Sequence, residues 1–555
     1  MLPLPSFPSA RLARALAALA LVASCQSPEA MLADADEEAY ELLDARREEL
    51  FGDPAGFRIE RSDETLRARL LAGEPAPSEP MGLASLLEIA AENSREYQSQ
   101  KEALYRAALD LALERWRLTT IASAGASGGI DGTGNDENLV GFSDDTASVA
   151  AGGSVGLSRL LGTGASIVGS IGASLFRVVT TGDTTQVSSD LSLAITQPLL
   201  RGAGKRITLE PLTQAERNLV YQVRSFERYR REFSVQVAQR LYGLLQQMAV
   251  LENQEANYRN LVALRERNEA VAAAGRLSQI EADQAQQNEV RSEGQLVSQR
   301  ANLARTRDNL MLFLGLPVKT DLVFDREEFK ALEAIAGEQQ SFDEVRAIDA
   351  ALEQRLDYMT TLDELTDAER KAYIARDSLR VGLDVDARIA PSYDVDGGLQ
   401  YDWQSTSWSA GLSLDLPWNR IPQRNSYRNS LITLEVRKRS VEAASDGIVA
   451  SVRDVIRVLE NARISFQLAE IAVEIAERRV ESTRLNLDYG RASTRDVLES
   501  EEALREARNS RASALVSLTL ARLDLLLELE ALRVDGQGIT YDQDLLASVE
   551  ANDTP

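Results

Sequence analysis

The sequence predicts an α+β membrane protein: long antiparallel α-helical coiled coils forming a barrel, continued by a transmembrane β-barrel shared between protomers, with the pattern laid down twice. Three observations carry this expectation. Two tracts, about 119–197 and 380–417, change from Ala/Leu/Glu to Gly/Ser/Thr/Val texture and alternate with a period of two. Each is followed by a very long helical tract without proline, Leu212 to Leu316 and Gln423 to Thr554. Inside each helical tract stands a related glycine phrase, "AAGRLSQIEADQAQQ" from Ala273 and "DYGRASTRDVLESEEAL" from Asp488.

Composition narrows the function classes. Of 555 residues, 44% are hydrophobic but only 5% aromatic, and 26% are charged, which suits long Ala/Leu/Glu/Arg helices better than a large enzyme core. A formal net charge of -25 argues against nucleic acid as a partner, because phosphate binding needs a basic stripe. The absence of histidine removes His-based triads, His metal sites and His general bases. No P-loop, no GxSxG and no metal-spaced cluster occurs, so neither an enzyme, a cofactor nor a metal is expected.

Residues 1–24 read as a lipoprotein-type signal peptide, with Arg11 and Arg14 before "ALAALALVA" (15–23), a run too short to span a bilayer. Val22-Ala23-Ser24-Cys25 resembles the bacterial lipobox, which implies lipidation of Cys25 in place of an ordinary signal peptide with a chance cysteine. As the sole cysteine, Cys25 forms no intramolecular disulfide. The same resemblance implies that Gln26, not being Asp, leaves the lipoprotein free to reach the outer membrane. Residues 25–81 are acidic, end in "GEPAPSEP" and read as an extended, lipidated tether.

The first repeat, 82–318, opens with a helix to about Arg117, its apolar side formed by Leu83, Leu86, Leu87, Ala90 and Ala91 and its start marked by Ser85 and Glu88 at capping-box spacing. Four candidate strands follow, about 119–128, 148–159, 165–178 and 187–197, with "LLGTG" (160–164) as a periplasmic turn and "DGTGNDENLVGFSDD" as an outer loop. The second repeat, 349–535, opens with a similar helix and carries two strands, in which Val381 to Ile389 and Trp408 to Leu416 alternate with polar or small residues. Both tracts end in proline, at Pro198 and Pro417, and hand over to helix. Between the repeats, 319–348 is a mixed acidic, equatorial linker, and 536–555 is a C-terminal tail.

The helical tracts need a coiled-coil explanation, since no segment is apolar all round. Leu434, Val441, Ile448, Val455, Ala462, Ala469 and Ala476 recur every seven residues, accompanied by Val452, Leu459, Phe466, Val473 and Val480. A second seam runs through Leu504, Ala507, Ala514, Leu518, Ala521, Leu525 and Leu532, broken by Arg511 and Glu528. Gly275 and Gly490 mark reversals, where a helix stops in a left-handed conformation and turns back.

Strands with one apolar face, in an exported chain, suggest a barrel wall between lipid and water, and only a closed barrel satisfies strand hydrogen bonds in hydrocarbon. One protomer has too few strands for a wide pore, so protomers must share it. Residues 424–487 as helix extend ~95 Å, long enough to cross much of a periplasm.

At residues 82–535 the chain resembles the outer membrane efflux proteins, the TolC-like outer membrane factors, through "ITQPLLRGAG" (195–204), the paired glycines at 275 and 490, and "YGRASTRDVLESEEAL" (489–504). The resemblance implies a homotrimeric channel-tunnel in the outer membrane, extending into the periplasm, without enzymatic activity. Its partners would be a periplasmic adaptor, an inner-membrane pump and outer membrane lipid. The duct would serve efflux or type I secretion. It further implies that Asp496 and Glu499, with Glu281 from the first repeat, line a periplasmic aperture that closes like an iris. Gln284 stands where the second repeat has Glu499, and Tyr489 adjoins Gly490, displaced from the family's place. Arg276 and Arg491 would contact an adaptor or be solvated tip residues, and Glu501 and Glu502 read as a solvated face. The competing classes are a periplasmic adaptor, which would have one hairpin, and a structural coiled-coil lipoprotein, which has no use for the Trp408–Leu416 alternation. Six strands per protomer would give an eighteen-stranded trimer where the family has twelve; alternatively 148–178 forms a hairpin outside the barrel.

Overall fold

Alternation of apolar with small polar residues makes every strand of the two tracts two-faced, and in the computed structural model these strands join one sheet. The structure describes residues 27–52, 57–60, 65–133, 146–178, 185–336, 341–393, 401–535 and 538–550. The signal segment, Cys25 and Gln26, most of the expected outer loop and residues 551–555 lie outside them. The described chain divides into two units. The first comprises 1–57, 104–223 and 364–438; the second comprises 58–103, 224–363 and 439–555.

Unit one holds the sheet. Strands β1 (Thr120–Thr133), β2 (Thr146–Leu160), β3 (Ser166–Val178), β4 (Thr185–Pro198), β5 (Gly382–Tyr393) and β6 (Tyr401–Asp415) follow one another in sequence order, each antiparallel to the next. A register shift interrupts β5 between Ala390 and Ser392. Residues 148–178 therefore do not form a separate hairpin: β2 pairs β1 along its length, and β3 pairs β4.

The expected extended tether is instead largely helical. Helix α1 (Pro28–Phe51) starts at Ser27, whose hydroxyl accepts the Ala30 N–H at 3.3 Å, has Pro28 in its first turn, and ends at Gly52 with φ +67°. Those are the signals of a helix start and stop. It buries Ala39, Tyr40, Leu42 and Leu43, a spacing of three and four, and the Tyr40 ring lies 5.6 Å from that of Tyr105. The Tyr105 hydroxyl donates to Asp36 at 2.5 Å.

Unit two is helical. After the short α2 (Leu66–Leu71), the expected 82–117 helix appears as α3 (Leu83–Asn93) and α4 (Arg95–Trp116), broken at an extended Ser94. Gly315, at φ +76°, approaches that break so closely that a Cβ would lie 2.2 Å from the Asn93 carbonyl oxygen. The Asn93 side chain meanwhile accepts the Arg67 N–H at 2.9 Å. Ser85 and Glu88 do not cap α3: Gly82 occupies the cap, and the Glu328 carboxylate accepts the Leu83 N–H at 2.9 Å. The chain continues through α5 (Lys205–Thr208), α6 (Glu210–Ala273), α7 (Gln279–Phe313), α8 (Glu327–Ala336), α9 (Glu344–Gln354), α10 (Leu356–Asp377), α11 (Ile421–Asp488) and α12 (Thr494–Glu528). The second half repeats the broken entry: α9 and α10 are separated by an extended Arg355. The linker thus contains α8. The C-terminal tail forms β8 (Gly538–Tyr541), paired with β7 (Leu532–Asp535), and α13 (Gln543–Val549).

The main core joins Leu86, Ala90, Phe233, Leu241, Met311 and Leu515; a second joins Ala347, Ala351, Ile448, Val452, Leu525 and Val549. The seam expected in α11 is the buried one: Ile448, Val452, Phe466, Ala469, Ala476 and Val480 all belong to it. In α12, Leu504, Leu518, Ala521 and Leu525 are buried as expected, but so are Ala512, Leu515 and Val516, and Leu532 lies in β7. Arg511 leaves the seam to pair with Glu333 at 2.8 Å. At the end of α12, Glu530 is held at φ +55°; its buried carboxylate receives Arg228 at 2.8 Å and also Arg231.

Candidate functional site: the sheet wall and the hairpin turns

The register converts the six alternations into two continuous surfaces. Across neighbouring strands, Val155 faces Ile171, Ile171 faces Leu191, Leu193 faces Ile389, and Ile389 faces Trp408. This apolar face is exposed in the single chain: Ile130 by 78%, Trp408 by 77% and Leu412 by 72%. Apolar area of that extent on the surface marks contact with lipid or protein. Arg159 and Arg177 stand on it near opposite ends of β2 and β3, where long basic side chains reach an interface. Trp116, just before β1, and Trp418, just after β6 and 99% exposed, sit at the end from which the helices leave, as in an aromatic belt.

The opposite face is small and polar. Three rows run across β1 to β4: Ser123, Gly156, Ser170, Ser192; Gly125, Ser154, Gly172, Asp190; and Ser127, Gly152, Ser174, Ser188. Within the rows, hydroxyls link β3 to β4, Ser170 to Ser192 at 2.9 Å and Ser174 to Ser188 at 2.6 Å. Asp384, Asp386 and Arg388 continue this face on β5, and Ile121, Leu160, Val168 and Phe176 are its large apolar exceptions. Thr196 donates to Asp386 at 2.8 Å.

Pro198 is the last residue of β4, facing Asp384, and Pro417 follows β6. At this junction Arg201 pairs with Asp415 at 2.6 Å, and the Gly202 N–H donates to Asp377 at 2.8 Å. The "LLGTG" turn docks here, its Thr163 carbonyl accepting the Gly204 N–H at 3.0 Å. In the adjoining helices of unit one, a cleft of about 330 Å³ includes Tyr221, Asp367, Lys371 and Arg437 in its lining. Asp367 accepts from Arg217 at 2.8 Å, Tyr221 at 2.9 Å, Arg370 at 3.0 Å and Gln214 at 3.1 Å. Burial pushes its carboxyl up, but the bonds from Tyr221 and Gln214 and the charges of Arg370 and Arg217 outweigh that and hold it below its ordinary 3.8.

In unit two the glycine phrases make two matching turns. Gly275 has φ +71° and Gly490 φ +67°. The next residue's N–H reaches back five positions in each, Arg276 to Val271 at 3.1 Å and Arg491 to Asn486 at 2.7 Å, closing a Schellman-type end. Three residues past each glycine a serine caps the returning helix, Ser278 over Glu281 and Ser493 over Asp496. Asp496 completes a capping box, its carboxylate accepting the Ser493 N–H at 2.8 Å. That backbone bond, then the Ser493 hydroxyl, lowers its pKa. Glu499 is exposed and meets Arg479 at 3.3 Å. Arg276, Arg491 and Tyr489 are exposed at the turns.

Glu501 departs from its expected solvated face. It is buried, bound by Arg484 (Nε at 2.7 Å) and Asn260 (3.0 Å). Glu502 pairs with Arg505. Sequence reasoning also missed a polar seam in α6: Gln254, Asn257, Leu261, Leu264 and Asn268, spaced three and four apart, are all buried. Gln254 donates to the Ser292 hydroxyl at 3.0 Å and Asn268 to the Thr494 hydroxyl at 2.9 Å. The signal was a heptad with Asn and Gln in apolar positions, the device that fixes register in coiled coils.

Neither a family profile nor a curated protein sequence matches this chain. Solved structures do. The chain is similar to CusC, described as forming a transmembrane channel, with 14% identity, 80% of this chain and 91% of that chain covered, and a TM-score of 0.59. It is similar to the CmeC outer membrane channel of Campylobacter jejuni (13% identity, 84% and 89% covered, TM-score 0.58). It is likewise similar to the MtrE outer membrane channel of Neisseria gonorrhoeae in its open state (12%, 80% and 88%, 0.58). At such identities the likeness is one of fold: the chain has the TolC-like fold of outer membrane channels.

Proposed function

We propose that this protein is an outer membrane channel-tunnel, a passive exit duct that assembles as a homotrimer and works with a periplasmic adaptor and an inner-membrane pump in efflux or type I secretion. The carrying observation is the sheet: six paired strands with one exposed apolar face and one serine–glycine face, which lipid outside and water inside would satisfy together. No helix among the described residues is long and apolar enough to cross a membrane. Asp496, Glu499 and Glu281, within a turn or two of the helix reversals, are the residues proposed for the aperture. Arg276 and Arg491 are proposed for adaptor contact, and Cys25 for lipid attachment. The test is reconstitution of the full chain in planar bilayers after sizing in detergent. A trimer with stepwise single-channel currents is expected; a monomer without conductance would overturn the reading.

A further inference from the structure

We propose that the barrel closes with eighteen strands around a wide, smooth bore that passes large hydrophilic solutes, extended polymers or compact polypeptides among them. This rests on the reading of the sheet as an outer membrane barrel. Among the described residues the sheet ends on both sides in long strands with one free edge each, β1 of 14 residues and β6 of 15. Neither contains proline or lysine, two of the devices that protect a solitary edge. An open edge cannot stand in hydrocarbon, so each needs a partner strand.

A second copy of this chain supplies it. Because consecutive strands alternate in direction and six is even, β6 of one copy runs antiparallel to β1 of the next, with the apolar faces on the same side. Three copies close at eighteen. With strands ~4.8 Å apart and tilted by about 40°, eighteen give a backbone diameter of about 36 Å, where twelve give about 24 Å. Allowing about 5 Å of wall on each side leaves a bore of about 26 Å, against about 14 Å.

The side chains keep that bore open. Serine and glycine fill the three central inner rows of β1 to β4 apart from Asp190, so the middle of the wall carries hydroxyls and bare backbone where larger residues would narrow it, while Ile121, Leu160, Val168 and Phe176 stand nearer the strand ends. Gly172 lies directly beneath the Asp190 carboxylate, where a Cβ would stand 2.6 Å from its Oδ1. Hydroxyl and peptide groups favour hydrated cargo.

The test uses single cysteines in the full chain in outer membranes, Ser174→Cys on the polar face and Ala173→Cys on the apolar one, with the unsubstituted chain as the blank for Cys25. A maleimide carried on polyethylene glycol of about 10 Å hydrodynamic radius fits a bore of about 26 Å and not one of about 14 Å. The expected result is that N-ethylmaleimide and the polymer reagent label Ser174→Cys to within twofold of one another, while Ala173→Cys stays at least tenfold slower with both. If N-ethylmaleimide labels Ser174→Cys selectively but the polymer does not, the wide bore is wrong and the water-filled barrel stands. If the small reagent labels both positions alike, or neither, the barrel reading itself fails and the wide bore with it.

Discussion

Asp367 shows how a single carboxylate is fixed by its surroundings. Four side chains donate to it, and its pKa is held below the ordinary 3.8 despite burial. A depressed carboxylate contributes stability that is fully present above its unfolded pKa and is lost as pH falls through the lower folded value. Asp367→Asn should therefore lower the thermal midpoint relative to wild type from pH 7 down to about pH 5, with the gap closing only well below 3.8. A gap that persists unchanged at the acid end would mean that geometry, not charge, is what Asp367 supplies. At this scale the sequence was least legible. Glu501 carries no local mark of burial; its partner Asn260 lies 241 residues away along the chain. Glu328, which caps α3 from a distance of 245 residues, is equally invisible, and the local Ser85/Glu88 spacing pointed elsewhere.

At the scale of elements, glycine does two different jobs. Gly275 and Gly490 need only the left-handed backbone, since nothing lies within 4 Å of a Cβ placed on either. Gly315 needs both the conformation and the space, because Asn93 occupies the position of its Cβ. Gly490→Ala should accordingly cost about 1 kcal/mol, the left-handed penalty alone. Gly315→Ala should cost about 3 kcal/mol or more, since the α3–α4 break must also shift. Denaturant unfolding of the two variants checks the ordering; equal losses would remove the steric argument for Gly315. The two turns were readable because glycine followed by a capping serine is a local signal. The breaks at Ser94 and Arg355 were not, because the apolar period runs through them and only tertiary contacts at Asn93 and Arg355 select the extended backbone. The tether was misread for the opposite reason: its capping signals at Ser27, Pro28 and Gly52 are plain, but its acidic composition masked a short apolar face.

For the molecule as a whole, the period-two tracts disclosed the strands and their faces, and pairing added what alternation cannot give, that all six belong to one sheet. The same pairing places acids on the polar face, Asp190, Asp384 and Asp386, against Arg388, in a chain whose net charge is -25. In the trimer proposed above, threefold repetition would multiply the excess, so the proposed bore should prefer cations. How strongly depends on its width. Screening reaches about 10 Å at 0.1 M salt and about 30 Å at 0.01 M. In a bore of about 26 Å the wall charges overlap at the axis only in dilute salt, whereas one of about 14 Å stays within their reach at both. Reversal potentials across a KCl gradient should thus show weak cation preference near 0.1 M and strong preference near 0.01 M. Asp190→Asn with Asp384→Asn should lower the dilute-salt preference severalfold while leaving trimer assembly intact. A preference that is indifferent to salt, and survives the double substitution, would place the selecting charges outside the sheet and make Glu281 and Glu499, proposed above for the aperture, the next pair to neutralise.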